Sequence, residues 1–429
     1  MNYKTRKIHK NRTKNRSKNR TKNRTKNKTK NRKGGEVIAA GGFGCVFSPA
    51  LRCINSNKRQ GDISKLLEKK DAENEWNELK NVKKIVKRIP NYQKYFLIYN
   101  IFKCQPNTIT KKDMKNINIC ENALGSIDIT TSEINNNLNK LDIINMPYGG
   151  EDLLKIITNN KEEFLQLNDI LLDFLSNAVI PMNKLGFFHS DIKSQNILYL
   201  DKKTRLIDWG VSVYINDLPV KNIPENIRNN KLQFNSPFTR IIFNKIFDDY
   251  YIKHIKYNKA ININDDKLYL TLQVIMFDYY FHFINIAGNG HEPFINNYFI
   301  SEFFKINDIK NIPTDFNLTA YLFSIYMTKI LLKYINFSTR SFRKVDYFNE
   351  VYIKNLDIWG FVSIYFEYIM NNYSKTLKIN LSNIIIDYLY SDNYADKPID
   401  TKKLINSLKN ANKKPIGKIN LNKLFKIEK

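Results

Sequence analysis

The sequence predicts an α+β fold in which a small part rich in β-strands precedes a larger helical part. Three observations support this prediction. Short runs typical of β-strands occur between residues 36 and 67, one amphipathic helix follows at 71–88, and helical patterns dominate after residue 150. A length of 429 residues suggests two or three units that each form a core. Since 42% of the residues are hydrophobic and 13% aromatic, most of the chain should be globular.

The early strands are short and are bounded by Gly, Pro and Asn. We place them at residues 36–38, 45–47 and 63–67. In the helix that follows, Trp76, Leu79, Val82, Ile85 and Val86 lie close to helical spacing, with acids at its start and bases at its end. These features predict a small sheet followed by one helix.

The rest of the chain begins with a strand at 143–146 and a turn at 147–150. Helices are expected at 163–185 and 354–370. Two apolar stretches, 268–287 and 318–337, approach the length of a membrane span, but charged or polar residues interrupt both near the middle. Because such charges are costly in lipid, we expect two buried helices of a soluble protein and no membrane contact.

The four cysteines indicate the expected compartment. Cys45, Cys53, Cys104 and Cys120 form no CxxC pair and have no histidine at zinc-ligand spacing, and the chain does not begin like a signal peptide. We therefore expect a reducing, intracellular compartment.

Residues 1–33 form a basic tail that we expect to be disordered. They hold 16 of the 69 Lys and Arg residues and no Asp or Glu, so more than half of the net charge of +28 lies there. Residues 10–33 repeat Lys-Asn-Arg-Thr with small variations and lack apolar periodicity. The tail fits an arm that binds nucleic acid or another acidic surface, or directs the protein to the nucleus. A solvated tail that only reflects the heavy use of Asn and Lys fits equally well.

Residues 189–210 contain the side chains that phosphoryl transfer requires. Asp191 is placed to accept the proton of a substrate hydroxyl, and Lys193 would bring its ammonium to the transferred phosphate. Asn196 offers a hard oxygen ligand, and Asp208 follows a turn at 201–204 that would join two short strands. The Asp208 carboxylate can then meet Asn196 around Mg²⁺, which prefers oxygen ligands.

These residues resemble the motifs of eukaryotic-type Ser/Thr protein kinases. The catalytic loop of that family reads H-R-D-L-x-x-x-N and its metal motif D-F-G; here they read HSDIKSQN at 189–196 and DWG at 208–210. The resemblance implies a bilobal fold, with a β-rich N-lobe at 34–147 and a helical C-lobe at 148–425. It also implies ATP and Mg²⁺, transfer to Ser or Thr hydroxyls of unidentified protein substrates, and a monomer.

The family's glycine loop has a partial counterpart in AAGGFGCVF. The resemblance makes its backbone N–H groups cover the ATP phosphates, although Ala39 stands where the family has its first glycine. The residues assigned to this contact are Ala39, Gly41, Gly42, Phe43, Gly44 and Val46.

The resemblance also assigns a lysine that reaches the nucleotide phosphates and its ion-pair partner. Lys65 on the third strand fits this lysine better than the charged run at 69–70. Glu75 on the following helix is the expected partner, with Glu73 and Glu78 as alternatives.

The segment NMPYGGEDL at 145–153 resembles the hinge between the two lobes. Met146 then takes the gatekeeper position beside the nucleotide. Tyr148 and Gly149 would present backbone groups to adenine, and Asp152 or Glu151 would meet the ribose.

The sequence departs from the family in three places. Ser190 replaces the arginine that pairs with a phosphorylated activation loop, so we expect activity without such phosphorylation. The A-P-E element is reduced to SPF at 236–238, and Lys397 stands where its arginine partner is expected. DIWG at 357–360 resembles the start of the central helix of the C-lobe, which makes 239–350 a helical insertion.

A glycine loop that ends in GCVF together with a large helical insertion resembles kinases of large DNA viruses such as the mimivirus group. This resemblance implies a host cytoplasm or nucleus, or a virus particle, as the location. Within the insertion, His291 and Glu292 lack a third ligand and predict a turn more than a metal site.

Two other functions remain open on the sequence. Small-molecule phosphotransferases of the aminoglycoside or choline kinase type share H-x-D, the asparagine five residues on, and often I-D-W; Lys193 favours the protein kinase. A pseudokinase that only binds a partner would normally have lost a base or metal residue, whereas Lys65, Asp191, Asn196 and Asp208 are all present.

Overall fold

A five-stranded antiparallel sheet forms the N-terminal part of the protein, in the order β1-β2-β3-β5-β4. The computed structural model describes residues 36–41, 44–54, 56, 61–258, 261, 267–307 and 317–413. The five strands are β1 Glu36–Gly41, β2 Gly44–Ser48, β3 Ile63–Glu68, β4 Phe102–Cys104 and β5 Leu141–Met146. They confirm the four strands expected from the sequence and add β4. The basic tail at 1–33 and the C-terminal end of the expected C-lobe, 414–425, lie outside the described residues.

Helix α1, Lys69–Val86, follows β3 directly and packs against the sheet. Its buried residue Ala72 packs with Leu67 and Ile144 of the sheet, whereas Val82 and Val86 join the core of the helical part. Asp71 lies in its first turn and lysines in its last. Acidic and basic side chains at these ends complement the helix dipole. The expected helix at 71–88 is confirmed, shifted slightly toward the N-terminus.

The four cysteines lie in this N-terminal part and form two disulfides. Cys45 of β2 joins Cys120, and Cys53 joins Cys104 of β4, with Cα atoms 5.7 and 5.8 Å apart. The paired cysteines are 75 and 51 residues apart in the sequence, so no local pattern indicates which of them pair. The disulfides do not support the reducing compartment that the cysteine spacing suggested.

The chain after β5 is largely helical, with three small sheets. β6 Glu151–Asp152, β8 Ile197–Leu200 and β9 Lys203–Leu206 form one sheet; β7 Phe187–Phe188 pairs with β10 Val213–Tyr214, and β11 Ile335–Asn336 with β12 Ser341–Phe342. The other helices are α2 Tyr92–Tyr95, α3 Glu121–Gly125, α4 Leu153–Thr158, α5 Phe164–Phe174, α6 Ile180–Lys184, α7 Lys245–Tyr251, α8 Leu268–Ala287, α9 Glu292–Asn297, α10 Phe304–Ile306, α11 Leu318–Tyr334, α12 Lys344–Tyr347, α13 Ile353–Ser363, α14 Phe366–Met370, α15 Lys375–Ile385 and α16 Thr401–Lys409.

Single π-helical turns continue several of these helices. Leu175–Val179 joins α5 to α6, which confirms one helix over nearly the whole of 163–185. The helix expected at 354–370 is instead divided into α13 and α14. The amides of Ile364 and Tyr365 donate to the carbonyls of Phe361 and Val362, and this tightened turn separates the two helices.

The described residues of 239–350 are largely helical, as expected, apart from the β11–β12 pair, and α8 and α11 pack against each other. Nearly the whole of α11 is buried, which confirms the expectation for that stretch. The expectation of a buried helix is wrong for α8, since Leu270, Val274 and Ile286 are each more than half exposed. Only the face of α8 that carries Met276 and Tyr280 is covered. No helix within the described residues is long and apolar enough to cross a bilayer.

An aromatic cluster holds the segment 236–238 in the helical part. Phe238 lies 5.4 Å from Trp359 and 4.9 Å from Tyr326, ring centroid to centroid, and Tyr390 adds a further contact. Lys397 lies over the ring of Tyr394. The glutamate and arginine that the A-P-E resemblance would require are thus replaced by aromatic packing.

Candidate active site

The loop that carries Asp191 runs from β7 to β8 and is fixed by helix α13. The two oxygens of the buried Asp357 carboxylate accept hydrogen bonds from the amides of His189 and Ser190, each at 2.8 Å. Burial raises the pKa of Asp357 to about 7, and the two N–H groups oppose this by favouring the carboxylate. A Cβ on Gly360 would lie 2.7 Å from the carbonyl oxygen of Ile192, so only glycine lets α13 come this close.

Asp191 lies at the centre of a group of side chains that donate to its carboxylate. Its Oδ2 accepts from Lys193 Nζ at 2.7 Å and from Asn196 Nδ2 at 2.8 Å. Its Oδ1 accepts from Asn235 Nδ2 at 2.7 Å. The structure therefore brings the three residues expected from the sequence together and adds Asn235, which comes 44 residues later.

His189 lies in the same loop and bonds to backbone groups through both ring nitrogens, and these two bonds require a neutral ring. Its Nε2 must donate to the carbonyl of Ile207 at 2.9 Å, since a carbonyl only accepts, and its Nδ1 then accepts from the amide of Asp191 at 3.3 Å. Burial lowers the pKa of His189. The ring also packs edge-on against Trp209, 4.8 Å between centroids, which links the loop to the DWG motif.

Asn196 and Asp208 offer oxygens that fit Mg²⁺. Because the amide nitrogen of Asn196 donates to Asp191, its oxygen remains available, and the amide of Ile207 pairs with its backbone carbonyl at 3.0 Å. No hydrogen bond or ion pair joins the Asp208 carboxylate to another described residue. Within those residues no three His, Cys, Asp or Glu side chains form a metal site. A donor set of this kind suits Mg²⁺, which usually takes only one or two protein carboxylates together with phosphates and water.

Lys65 of β3 and Glu75 of α1 form the ion pair expected from the sequence. Lys65 Nζ lies 2.6 Å from Glu75 Oε2, and both side chains are partly buried. The residue opposite Lys65 in the sheet is Ile144, with Met146 further along β5 and paired with Ile63. On the β2 side Lys65 is paired with Val46, so Ile144 and Val46 flank the lysine in the sheet. Of these two residues, the sequence assigns only Val46 to the nucleotide site.

Glu78 is a further carboxylate of α1, one helical turn after Glu75. Burial raises the pKa of Glu78 to about 7, with Glu75 and Asp208 raising it further and Lys65 lowering it. Asp208 also acts on His189, together with Asp191. Asp208 therefore lies within electrostatic reach of Glu78, which neighbours the Lys65–Glu75 pair, and of His189 in the loop that carries Asp191.

The glycine loop lies at the turn between β1 and β2. Ala39 pairs with Val46 and Gly41 with Gly44, so the two strands form a hairpin whose first strand bulges between Val37 and Ala39. Gly42 and Phe43 lie outside the described residues.

The expected hinge is already bonded to other parts of the chain. The amide of Tyr148 donates to Asp62 Oδ2 at 3.0 Å, and the carbonyl of Met146 accepts from the amide of Asp62 at 3.0 Å. Asp152 accepts from the amide of Lys155 at 2.9 Å and so caps α4. Gly149 lies against Leu198 of β8. The adenine and ribose contacts expected of these residues stay predictions.

The sequence motifs do not assign three residues of this region, Asn235, Asp357 and Ile144, to the site, and they assign Glu78 only as an alternative partner of Lys65. Asp357 left a signal, because an acidic residue within the apolar run of α13 must find buried donors. Asn235 left none, since its partner is distant in sequence. No family model matches the chain, and no curated protein matches it either.

Proposed function

We propose that the protein is a Ser/Thr protein kinase of bilobal, kinase-like fold that transfers the γ-phosphoryl group of ATP to protein hydroxyls. One observation carries the proposal. The Asp191 carboxylate accepts hydrogen bonds from Lys193 and Asn196. Asp208 lies within electrostatic reach of His189 in the same loop and of Glu78, and Glu78 in turn interacts with the Lys65–Glu75 pair. Phosphoryl transfer needs little more than this, namely a positioned base and charges around the phosphates.

The reaction assigns a separate task to each residue. Asp191 accepts the proton of the substrate hydroxyl while the oxygen of that hydroxyl forms a bond to the γ-phosphorus. The bond from this phosphorus to the bridging oxygen breaks, and ADP leaves with the electron pair. Lys193 and Lys65 compensate negative charge on the phosphates, the first at the transferred group and the second on the nucleotide.

Magnesium would be held by Asn196 and Asp208. When bound, the ion would neutralise the negative charge of the phosphates. Among the described residues, no group bonds to the amide oxygen of Asn196 or to the carboxylate of Asp208, and this supports the assignment.

The test compares two substitutions, Asp191→Asn and Asp208→Asn, in Mg-ATP-dependent phosphorylation of a generic basic protein. Asp191→Asn should retain nucleotide binding and lose about 10²- to 10⁴-fold in turnover, the usual contribution of a positioned base. Asp208→Asn should also lose the Mg²⁺-dependent part of ATP binding. Asp201→Asn, the same change at an exposed turn that already has a left-handed backbone, is the control and should keep the wild-type rate.

Three results would contradict the proposal. A wild-type rate in either site variant means that the site is misassigned. Phosphorylation of small aminoalcohols or aminoglycosides but not of proteins would identify a small-molecule phosphotransferase. ATP binding without any transfer, by the wild type as well, would identify a pseudokinase.

A further inference from the structure

One loop of the helical insertion reaches the group of residues around Asp191. It consists of residues 288–294, which follow α8 and include the first three residues of α9, and we call it the insertion loop. The amide of His291 donates to the carbonyl of Leu232 at 2.9 Å. A Cβ on Gly290 would lie 2.3 Å from the same carbonyl oxygen, and Gly290 has a φ of 56°. Only glycine permits this approach, so the loop is held against residues 231–235.

The ring of His291 packs on the residue next to Asn235. Its centroid lies 5.3 Å from that of Phe234. The carbonyl of Phe234 accepts from Trp359 Nε1 at 3.1 Å, and Asn235 donates to Asp191. Phe234 is therefore held by the hydrogen bond from Trp359 of α13 and by its neighbour Asn235, which is bonded to Asp191. Because the His291 ring packs on Phe234, these contacts also position His291.

Charged residues lie near both ends of the segment from Gly288 to His291. Burial and Lys193 lower the pKa of His291, whereas Asp191 raises it, so both residues lie within electrostatic reach of the ring. Lys231 Nζ lies 3.6 Å from the position of a Cβ on Gly288. Glu292, the acid next to His291, bonds to other residues of the insertion: its Oε1 accepts from Asn317 at 2.9 Å and also from Asn296.

The ring nitrogens of His291 differ in their surroundings. Nδ1 is enclosed and has no hydrogen-bond partner in the described part of the chain. An enclosed N–H without a partner is costlier than a bare ring nitrogen, so the proton belongs on Nε2. Nε2 is then the donor of this partly exposed ring, with Lys193 within electrostatic reach of the ring and Lys231 Nζ close to Gly288 of the same loop.

We propose that His291 is a specificity-determining residue, which binds an acidic side chain next to the phosphorylated Ser or Thr of the substrate. The inference rests on the proposed kinase activity and deepens it by naming acidic peptides as the substrate class. Nε2 of His291 donates to the carboxylate of the substrate, and the two lysines supply positive charge around it. Asp191 remains the base for the acceptor hydroxyl, and the insertion forms one wall of the acceptor site.

The experiment measures kcat/KM for two peptides that differ only at the residues beside one serine, Asp and Glu in the first and Asn and Gln in the second. The wild type should prefer the acidic peptide. His291→Phe retains the packing on Phe234 without the N–H donor and should lower this preference by about five-fold, the upper range for one partly exposed charged contact. His291→Gln retains a donor and should lose less. His282→Gln, on α8 beside Tyr250 and outside the loop, is the control and should keep the preference.

The outcomes separate this inference from the proposed function. Equal use of both peptides by the wild type, or an unchanged preference in His291→Phe, overturns the role of His291 and leaves the kinase assignment standing. A fall in His291→Phe that is the same for both peptides also overturns it, because it would indicate only a structural effect. If the wild type phosphorylates neither peptide and no protein, the proposed function fails and the inference fails with it.

Discussion

At the scale of single residues, two left-handed backbone positions mark the two ends of the candidate site. Ser190 and Asp208 both have a φ of 65°, although neither is glycine. Such conformations cost free energy and persist where surrounding bonds hold them. Asp357 holds Ser190 through its amide, and the packing of Trp209 on Phe187 and His189 holds the residue that follows Asp208.

Glu78 gives a prediction about stability and pH. Its pKa is raised from 4.5 to about 7, so the folded state binds this proton more tightly than the unfolded state does. Its effect on stability therefore becomes unfavourable as the pH rises from 4.5 through 7. Glu78→Gln, which does not titrate, should gain in thermal midpoint over the wild type across this window, with the largest gain above pH 7, in thermal unfolding without Mg²⁺.

A matched control for Glu78 lies on the same helix. Hydrogen bonding to Lys103 lowers the pKa of Glu73, so the stability from Glu73 is present above pH 4.5 and is lost as the pH falls. Glu73→Gln should therefore lower the midpoint slightly at pH 8, opposite in sign to Glu78→Gln. A difference between Glu78→Gln and the wild type that is equal at pH 5 and pH 8 would contradict the prediction.

At the scale of elements, helix α13 anchors the loop that carries Asp191, because Asp357 accepts hydrogen bonds from the amides of His189 and Ser190. Asparagine can accept only one of the two hydrogen bonds, and its NH₂ group would face the other donor. Asp357→Asn should therefore lower the free energy of unfolding by about 1–3 kcal/mol, the cost of an unsatisfied buried donor, measured in urea at pH 8. It should also lower turnover. Asp346→Asn, at an exposed ion pair with Arg343, should change stability by less than about 0.5 kcal/mol. Equal effects of the two substitutions would argue against the anchor.

The strands β2 and β4 are each tied to a distant segment by a disulfide. Loops of 75 and 51 residues closed in this way would each stabilise the fold by about 4 kcal/mol in the chain-entropy model. A reductant should therefore lower the thermal midpoint of the wild type. The variant with all four cysteines changed to serine should not respond to the reductant. Alkylation of four thiols in the denatured, unreduced protein would contradict both disulfides.

At the scale of the whole molecule, more than half of the net charge of +28 lies in the tail at 1–33. Removing residues 1–33 should leave peptide phosphorylation intact, because the candidate site lies entirely after residue 38. Binding to double-stranded DNA should weaken, and its dependence on salt should become less steep, since fewer phosphate contacts release fewer counterions. A titration at several salt concentrations checks this. Equal DNA binding with and without the tail would exclude the role of the tail.

The sequence predicted the local elements of the site well. The β1–β2 hairpin, β3, α1 and the β8–β9 pair lie close to where the patterns placed them, since each depends on the side-chain period of one short segment. Lys65 and Glu75 were correctly paired because they lie on consecutive elements, the middle of β3 and the first half of α1. Asn235 was not found, because nothing in a single sequence relates it to Asp191.

The sequence alone determined which residue types are present for chemistry and in what order, because Asp191, Lys193, Asn196 and Asp208 all lie in one short segment. Only the tertiary structure decided what surrounds them. Asp357 and His291 come from α13 and the insertion loop, both far along the chain from that segment. Their approach depends on the packing of α13 and on a glycine in the insertion loop, which are contacts between distant surfaces. The same reason explains the cysteine pairs and the exposed face of α8, since burial is a property of what packs against a segment and not of the segment itself.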